Sequence, residues 1–244
     1  MAERQHVVIV TGAGGGIGRA TVSALNEAGA AVVRHRKRAE DDDADATNLV
    51  VGADFRDPEG PRSLWEQALA WRGHVDVVVN NAGIMTEAPL DADPATWRAA
   101  WRETLQVNLV AAAELCRLAV PHFQSRGGGV LINVSSRAAF RGDTPEYIHY
   151  AASKAGLVAL TRTIARGFAA DGILAYDVAP GFVDTPMVAG LIGQHGRSQL
   201  SLAIPMGDLV PAEEVAATIA FLATGKVRHA TGSTIHINGA SYVH

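Results

Sequence analysis

The chain has 244 residues, 48% of them hydrophobic and 19% charged, which suits a single α/β domain spanning residues 1–244. A net charge of −4 excludes the basic excess of a nucleic-acid-binding surface, and the lone cysteine, Cys116, excludes an internal disulfide and reads as a buried helix thiol. No signal-peptide pattern and no apolar run of membrane-spanning length is read, so a cytoplasmic protein without membrane contact is expected.

Taken in chain order, residues 6–10 form a first β-branched strand that ends at glycines, and a helix over 17–28 is stopped by Gly29. A strand at 31–33 precedes a polar stretch, 34–45, that sets basic charge before acidic charge. Strands at 49–51 and 75–79 flank a helix over 61–71, which opens at Pro61. A long helix over 94–125 leads to a strand at 130–134, and a helix over 151–170 leads to one at 174–178. Residues 184–205 are predicted to be a lid loop over the substrate site, followed by a helix over 211–223 and a last strand at 235–237. Apolar runs of this length, alternating with helices, predict a doubly wound, parallel, seven-stranded Rossmann-like sheet with helices on both faces.

Chemistry begins at Thr11-Gly12-Ala13-Gly14-Gly15-Gly16-Ile17-Gly18, between the first strand and the first helix. Glycines there let the backbone turn sharply and approach a pyrophosphate lying on the helix N-terminus. The spacing is G-x-x-x-G-x-G, through Gly12, Gly16 and Gly18, and no Gly-Lys-Ser/Thr follows to make a nucleotide-triphosphate loop. Further along come Asn80-Asn81-Ala82-Gly83 after the fourth strand, Ser135-Ser136 after the fifth, Tyr150 and Lys154 opening a helix, and Ala179-Pro180-Gly181 after the sixth. These ordered motifs resemble the short-chain dehydrogenase/reductase family, in its compact form, almost from end to end.

The resemblance implies a nicotinamide cofactor, NADP(H) or NAD(H), and a substrate pocket at the carboxyl ends of the strands. It assigns Gly12, Gly16, Ile17 and Gly18 to the pyrophosphate and nicotinamide-ribose region, and Asp54, with Phe55 beside it, to the adenine. Asn81, Ala82 and Gly83 would flank the adenosine ribose, and Val183 and Thr185, after Pro180 and Gly181, would hold the carboxamide. The second strand ends near Arg36 and Lys37 with no acid before Glu40, so a 2′-phosphate is accommodated and NADP(H) is the expected cofactor.

Hydride transfer to a carbonyl leaves an alkoxide that needs a proton. Tyr150 is the expected general acid/base, because Lys154 lies one helical turn away on the same face and favours its phenolate. Tyr147 has Ala151 at that spacing and does not qualify. Ser136, selected over Ser135 by the resemblance, would polarise the substrate oxygen, and Asn108 matches the family's helix asparagine that supports Lys154. His149 is expected on the pocket rim or in solvent, and no histidine has metal-ligand spacing.

The expected activity is hydride transfer between NADP(H) and a carbonyl or secondary alcohol of a small organic substrate, in a homo-oligomer, most simply a tetramer. Reduction of a 3-oxoacyl thioester on a carrier protein is a second reading, and a non-catalytic dinucleotide-sensing protein is a reading from another class. The pocket walls, at 85–95, 137–149 and 184–205, carry no motif that names a substrate.

Overall fold

The computed structural model describes residues 5–39 and 46–243. Seven strands lie in one parallel sheet: β1 (Val7–Val10), β2 (Ala31–Arg36), β3 (Asn48–Gly52), β4 (Val77–Asn80), β5 (Gly129–Val134), β6 (Ile173–Pro180) and β7 (Thr234–Ile237). Their order is β3-β2-β1-β4-β5-β6-β7, so the winding reverses between β1 and β4, where Val8 pairs with Val32 on one side and Val77 on the other. Such a reversal opens a crevice at the carboxyl ends of the strands.

Consecutive β-branched residues make strands with two apolar faces, and each face has its own core. On one face α1 (Gly16–Glu27) and α9 (Ala212–Ala223) cover Val8, Val10, Val32, Val79 and Ile132 with Val22, Leu25, Val215 and Ile219. On the other, α2 (Gly60–Arg72), α4 (Ala111–Arg126) and α6 (Ile148–Phe168) cover Ile9, Val33, Val78 and Leu131 with Leu64, Leu115, Phe123 and Ile164. Cys116 lies in this second core, its thiol pushed up to about 12 by burial.

The remaining helices are α3 (Pro94–Leu105), α5 (Ala138–Arg141), α7 (Pro186–His195) and α8 (Arg197–Leu202). Asp93 caps α3, accepting from the Ala95 and Thr96 N–H groups at 3.0 and 3.1 Å. The predicted helix over 94–125 is interrupted by a π-turn at Gln106–Val110, the kind of bulge that often marks a functional position. Here it holds Asn108, and α6 meets it closely at Gly156, where a Cβ would lie 2.7 Å from Leu109.

The predicted loop over 184–205 is largely helical. Val188, Leu200, Ile204 and Leu209 pack with Phe182 as a small core of their own, which pays for ordering α7 and α8. Arg197 pins the segment by ion pairs to Asp184 (2.6 Å) and Asp208 (3.1 Å). Among the described residues no helix is long and apolar enough to cross a membrane.

Candidate active site

The turn after β1 is shaped by what presses against it. Gly12 has φ +66°, and a Cβ there would lie 2.9 Å from Ala82 Cα. A Cβ at Gly18 would strike the Gly12 carbonyl, and one at Gly16 would strike the side chain of Thr185. The segment after β4 braces this turn: the Asn81 amide donates to Thr11 O (2.8 Å) and Gly12 O (3.3 Å), and the Thr11 hydroxyl accepts from the N–H groups of Asn81 and Ala82, both at 2.9 Å. Asn81 thus spends its side chain on the turn.

A second brace was not legible in the sequence. His35 Nδ1 accepts from Gly12 N–H at 3.2 Å while Nε2 lies 2.8 Å from Ala53 O, and the ring stacks on Phe55 with centroids 4.0 Å apart. Burial pushes this histidine down to about 4, which keeps it neutral and able to accept from Gly12. Phe55, predicted to lie beside the adenine, is buried and stacked against His35. Asp54 accepts from Arg56 N–H through Oδ1 at 3.0 Å.

Two adjoining clefts share Gly12 and Gly15. One is basic, lined by Arg19, Arg34, Arg36, Lys37 and Arg38, with the Arg36 stem running along Gly14. The acidic run from Glu40 lies outside the described residues. The other, with a volume of about 300 Å³, brings together Gly16, Ile17, Gly18, Ala82 and Gly83 on one wall and Ser136, Tyr150 and Lys154 on the next. Pro180, Gly181, Val183 and Thr185 close it, and Met85, Arg137, Arg141, Asp143, Phe182 and Val188 line it as well.

Lys154 Nζ donates to Val134 O at 2.8 Å and lies 5.8 Å from the centre of the Tyr150 ring. Both side chains are buried, with opposite consequences for the two acids. Burial pushes Tyr150 up to about 12, offset in part by the Ser136 hydroxyl, while burial pushes Lys154 down to about 8, with the charge of Asp177 opposing. Burial, with the charge of Asp143 acting in the same direction, holds the tyrosine up against the Ser136 hydroxyl, whereas the four-residue spacing to Lys154 had predicted a lowering. Asp177, beneath the site on β6, accepts from Ser135 Oγ at 2.9 Å and is itself pushed up to about 6 by burial.

Asn108 does not touch the cavity. Its Oδ1 accepts from Ile84 N–H (2.8 Å), and its Nδ2 donates to Ile84 O (2.9 Å) and Ser153 Oγ (3.1 Å), tying the π-turn to the segment after β4 and to α6. A Cβ on Gly83 would come within 3.3 Å of Lys154 Nζ and 3.4 Å of Asn108 Oδ1, so the glycine keeps these groups close. His149 corrects another expectation: it is 1% exposed, set against Trp101 at 6.0 Å between α3 and α6, rather than on the rim. Tyr147 donates to Glu87 at 3.0 Å, away from Lys154. Tyr176 is fully buried and donates to Val227 O at 2.9 Å.

These residues fit a dinucleotide. The N-terminus of α1 has no side-chain cap, and beside it runs a bare-backbone turn in which a Cβ at Gly12, Gly16 or Gly18 would collide with the chain. A family model described as enoyl-(acyl carrier protein) reductase matches residues 12–240. The chain belongs to the short-chain dehydrogenase/reductase family. It is 38% identical to the cis-4-hydroxycyclohexanecarboxylate dehydrogenase of Sinomonas cyclohexanicum, covering 96% of each chain. Two solved structures superpose closely. A protein described as an NAD(P)-dependent gluconate 5-dehydrogenase from Beutenbergia cavernae, with bound NADP, gives a TM-score of 0.87 at 32% identity, covering 97% of this chain and 96% of that one. The 3-ketoacyl-(acyl-carrier-protein) reductase of Brucella melitensis, complexed with NADH, gives 0.86 at 27%, covering 98% of each. The chain is an NAD(P)-dependent oxidoreductase acting on CH–OH and carbonyl groups.

Proposed function

We propose that the chain transfers hydride between NADP(H) and the carbonyl or secondary alcohol of a small organic substrate, with Tyr150 as general acid/base. The convergence of Ser136, Tyr150 and Lys154 on one cavity that also contains the glycine turn supports this reading. Bound nicotinamide supplies the hydride donor or acceptor. In reduction, the Ser136 and Tyr150 hydroxyls hold the substrate oxygen, and Tyr150 gives its proton to the oxygen as charge develops there. A tyrosine raised to about 12 stays protonated for this task, and the ammonium of Lys154 stabilises the phenolate left behind. Asn108 acts at one remove, holding Ile84 and Ser153 and so the walls against which Lys154 rests.

Preference for NADP(H) is supported by the basic cleft beside the glycine turn, where Arg36 offers a planar fork to a phosphate. Residues 184–205 serve as the substrate lid, with Val183 and Thr185 meeting the nicotinamide end. The test is a panel of sugars, polyols, cyclic ketones and an acetoacetyl thioester, followed by NADPH absorbance. Turnover of the thioester alone would favour the carrier-protein reading, which the likeness to the Brucella melitensis reductase supports. Exposed Asp171, hydrogen-bonded by Gln124 at 2.7 Å, puts an acid where an acidic carrier would need basic residues. No turnover of any member would leave the dinucleotide-sensing reading.

A further inference from the structure

Two cations of the cavity lining, Arg137 and Arg141, take no part in the hydride chemistry, and of these Arg137 is the buried one. Arg137 directly follows Ser136, and its backbone N–H donates to Pro180 O at 2.9 Å where the chain enters α5. The side chain lines the cavity yet is only 4% exposed. Its guanidinium lies 4.0 Å from the centre of the Phe182 ring, a cation–π contact with another lining residue. Among the described residues it forms no ion pair, and its Nη1 is buried without a hydrogen-bond partner. The charges nearest it on the cavity wall are exposed Arg141, which repels it, and exposed Asp143, which attracts it without pairing.

A buried guanidinium left unpaired is costly, and an aromatic face compensates only part of that cost. Such a group persists where a ligand completes it, and the planar fork of arginine matches a carboxylate in bidentate fashion. The rest of the lining decides the shape of the ligand. Met85, Phe182 and Val188 are apolar, and the body of the ligand shares the cavity of about 300 Å³ with the glycine turn, which leaves space only for a compact one.

We propose that Arg137 anchors a carboxylate on the substrate, so that the enzyme acts on compact, largely apolar hydroxy acids and their oxo acids. Arg137 holds the acid group while Ser136 and Tyr150 hold the reacting oxygen. This rests on the carbonyl–alcohol reading, and the test separates the two. Binding is measured by titration calorimetry on enzyme saturated with NADP⁺, using cyclohexanecarboxylate and its uncharged isostere cyclohexanecarboxamide. The carboxylate is expected to bind at least about tenfold more tightly, Arg137→Met to erase the difference, and Arg137→Lys to restore part of it. Equal or undetectable binding of both probes by the wild type would overturn the proposal, as would a preference that survives in Arg137→Met. If Arg137→Met does not fold, the wild-type comparison and Arg137→Lys still decide. A second arm compares reduction of 4-oxocyclohexanecarboxylate with that of its methyl ester: the acid-to-ester ratio of kcat/KM is expected to fall by about tenfold or more in Arg137→Met. Arg137-dependent binding of the carboxylate without turnover of any carbonyl compound would support the anchor and reject the reaction.

Discussion

Lys37 Nζ lies 3.6 Å from the carboxylate of Asp54, so two residues assigned from sequence to opposite ends of the adenosine share one ion pair. Both partners are substantially exposed, at 54% and 38%, and such a pair contributes little to stability. It still matters for the cofactor, because part of the lysine's charge is already answered. Arg36, whose stem runs along Gly14, lines the same basic cleft as Lys37. NADPH is expected to exceed NADH in kcat/KM. Arg36→Asp or Lys37→Asp should narrow or invert the ratio by about tenfold or more. Equal efficiency with both cofactors in the wild type would show that the basic cleft does not read the 2′-phosphate.

Tyr150→Phe removes only a proton donor. It should leave NADPH binding nearly intact and lower kcat by about 10²-fold or more, whereas Lys154→Met should impair both binding and turnover. Single-turnover kinetics with a fluorescence titration of NADPH would check this. Retention of more than about a tenth of the activity in Tyr150→Phe would place the acid elsewhere.

The pH profile of reduction should be governed by the lysine. Tyr150, raised to about 12, remains an acid through the working range, but Lys154, lowered to about 8, loses its charge as pH rises through that value. The expected kcat/KM for carbonyl reduction is level below about pH 8 and falls above it, since this parameter reports groups of the free enzyme. A profile that stays level to pH 10 would contradict this.

Asp177 should make stability pH-dependent. Its folded pKa of about 6 lies above the ordinary 3.8, so folding favours the protonated acid. No penalty exists below the ordinary value, where both states are protonated; it grows as pH rises from the ordinary value to the folded one and is constant above that. Asp177→Asn, which can still accept from Ser135, should therefore raise Tm at pH 8 by an amount corresponding to roughly 2–3 kcal/mol. The two proteins should converge toward pH 4. A variant less stable than wild type at pH 8 would show that the carboxylate is better compensated by Lys154 than burial implies.

Assembly is expected to use α6 and the long α3–α4 unit. Ile148, at 41% exposed, and Val110, at 47%, are outward-facing apolar side chains on these elements, and Ala152, Ala155 and Ala159 form an exposed small-residue face on α6. A symmetric tetramer is expected in sedimentation at micromolar concentration. A single monomeric species would reject it.

The sequence by itself determined the sheet, because seven apolar runs separated by helical patterns leave little but a parallel, doubly wound arrangement. It also singled out Ser136, by resemblance, and Tyr150 with Lys154, by helical spacing, and the fold sets all three on one cavity. Burial and partnership could be decided only in three dimensions. Phe55 reads as a cofactor neighbour and packs under His35; His149 reads as a rim residue and is enclosed by Trp101. The stretch over 184–205 reads as a loop, yet its scattered apolar residues close on Phe182 and become helices. Arg137 reads as an unremarkable cation in a motif-free wall, and becomes a buried, unpaired one only when β5, α5 and Phe182 meet around it. Periodicity encodes which face of an element is covered. What covers it, and whether a charge finds a partner there, depends on contacts between residues far apart in the chain.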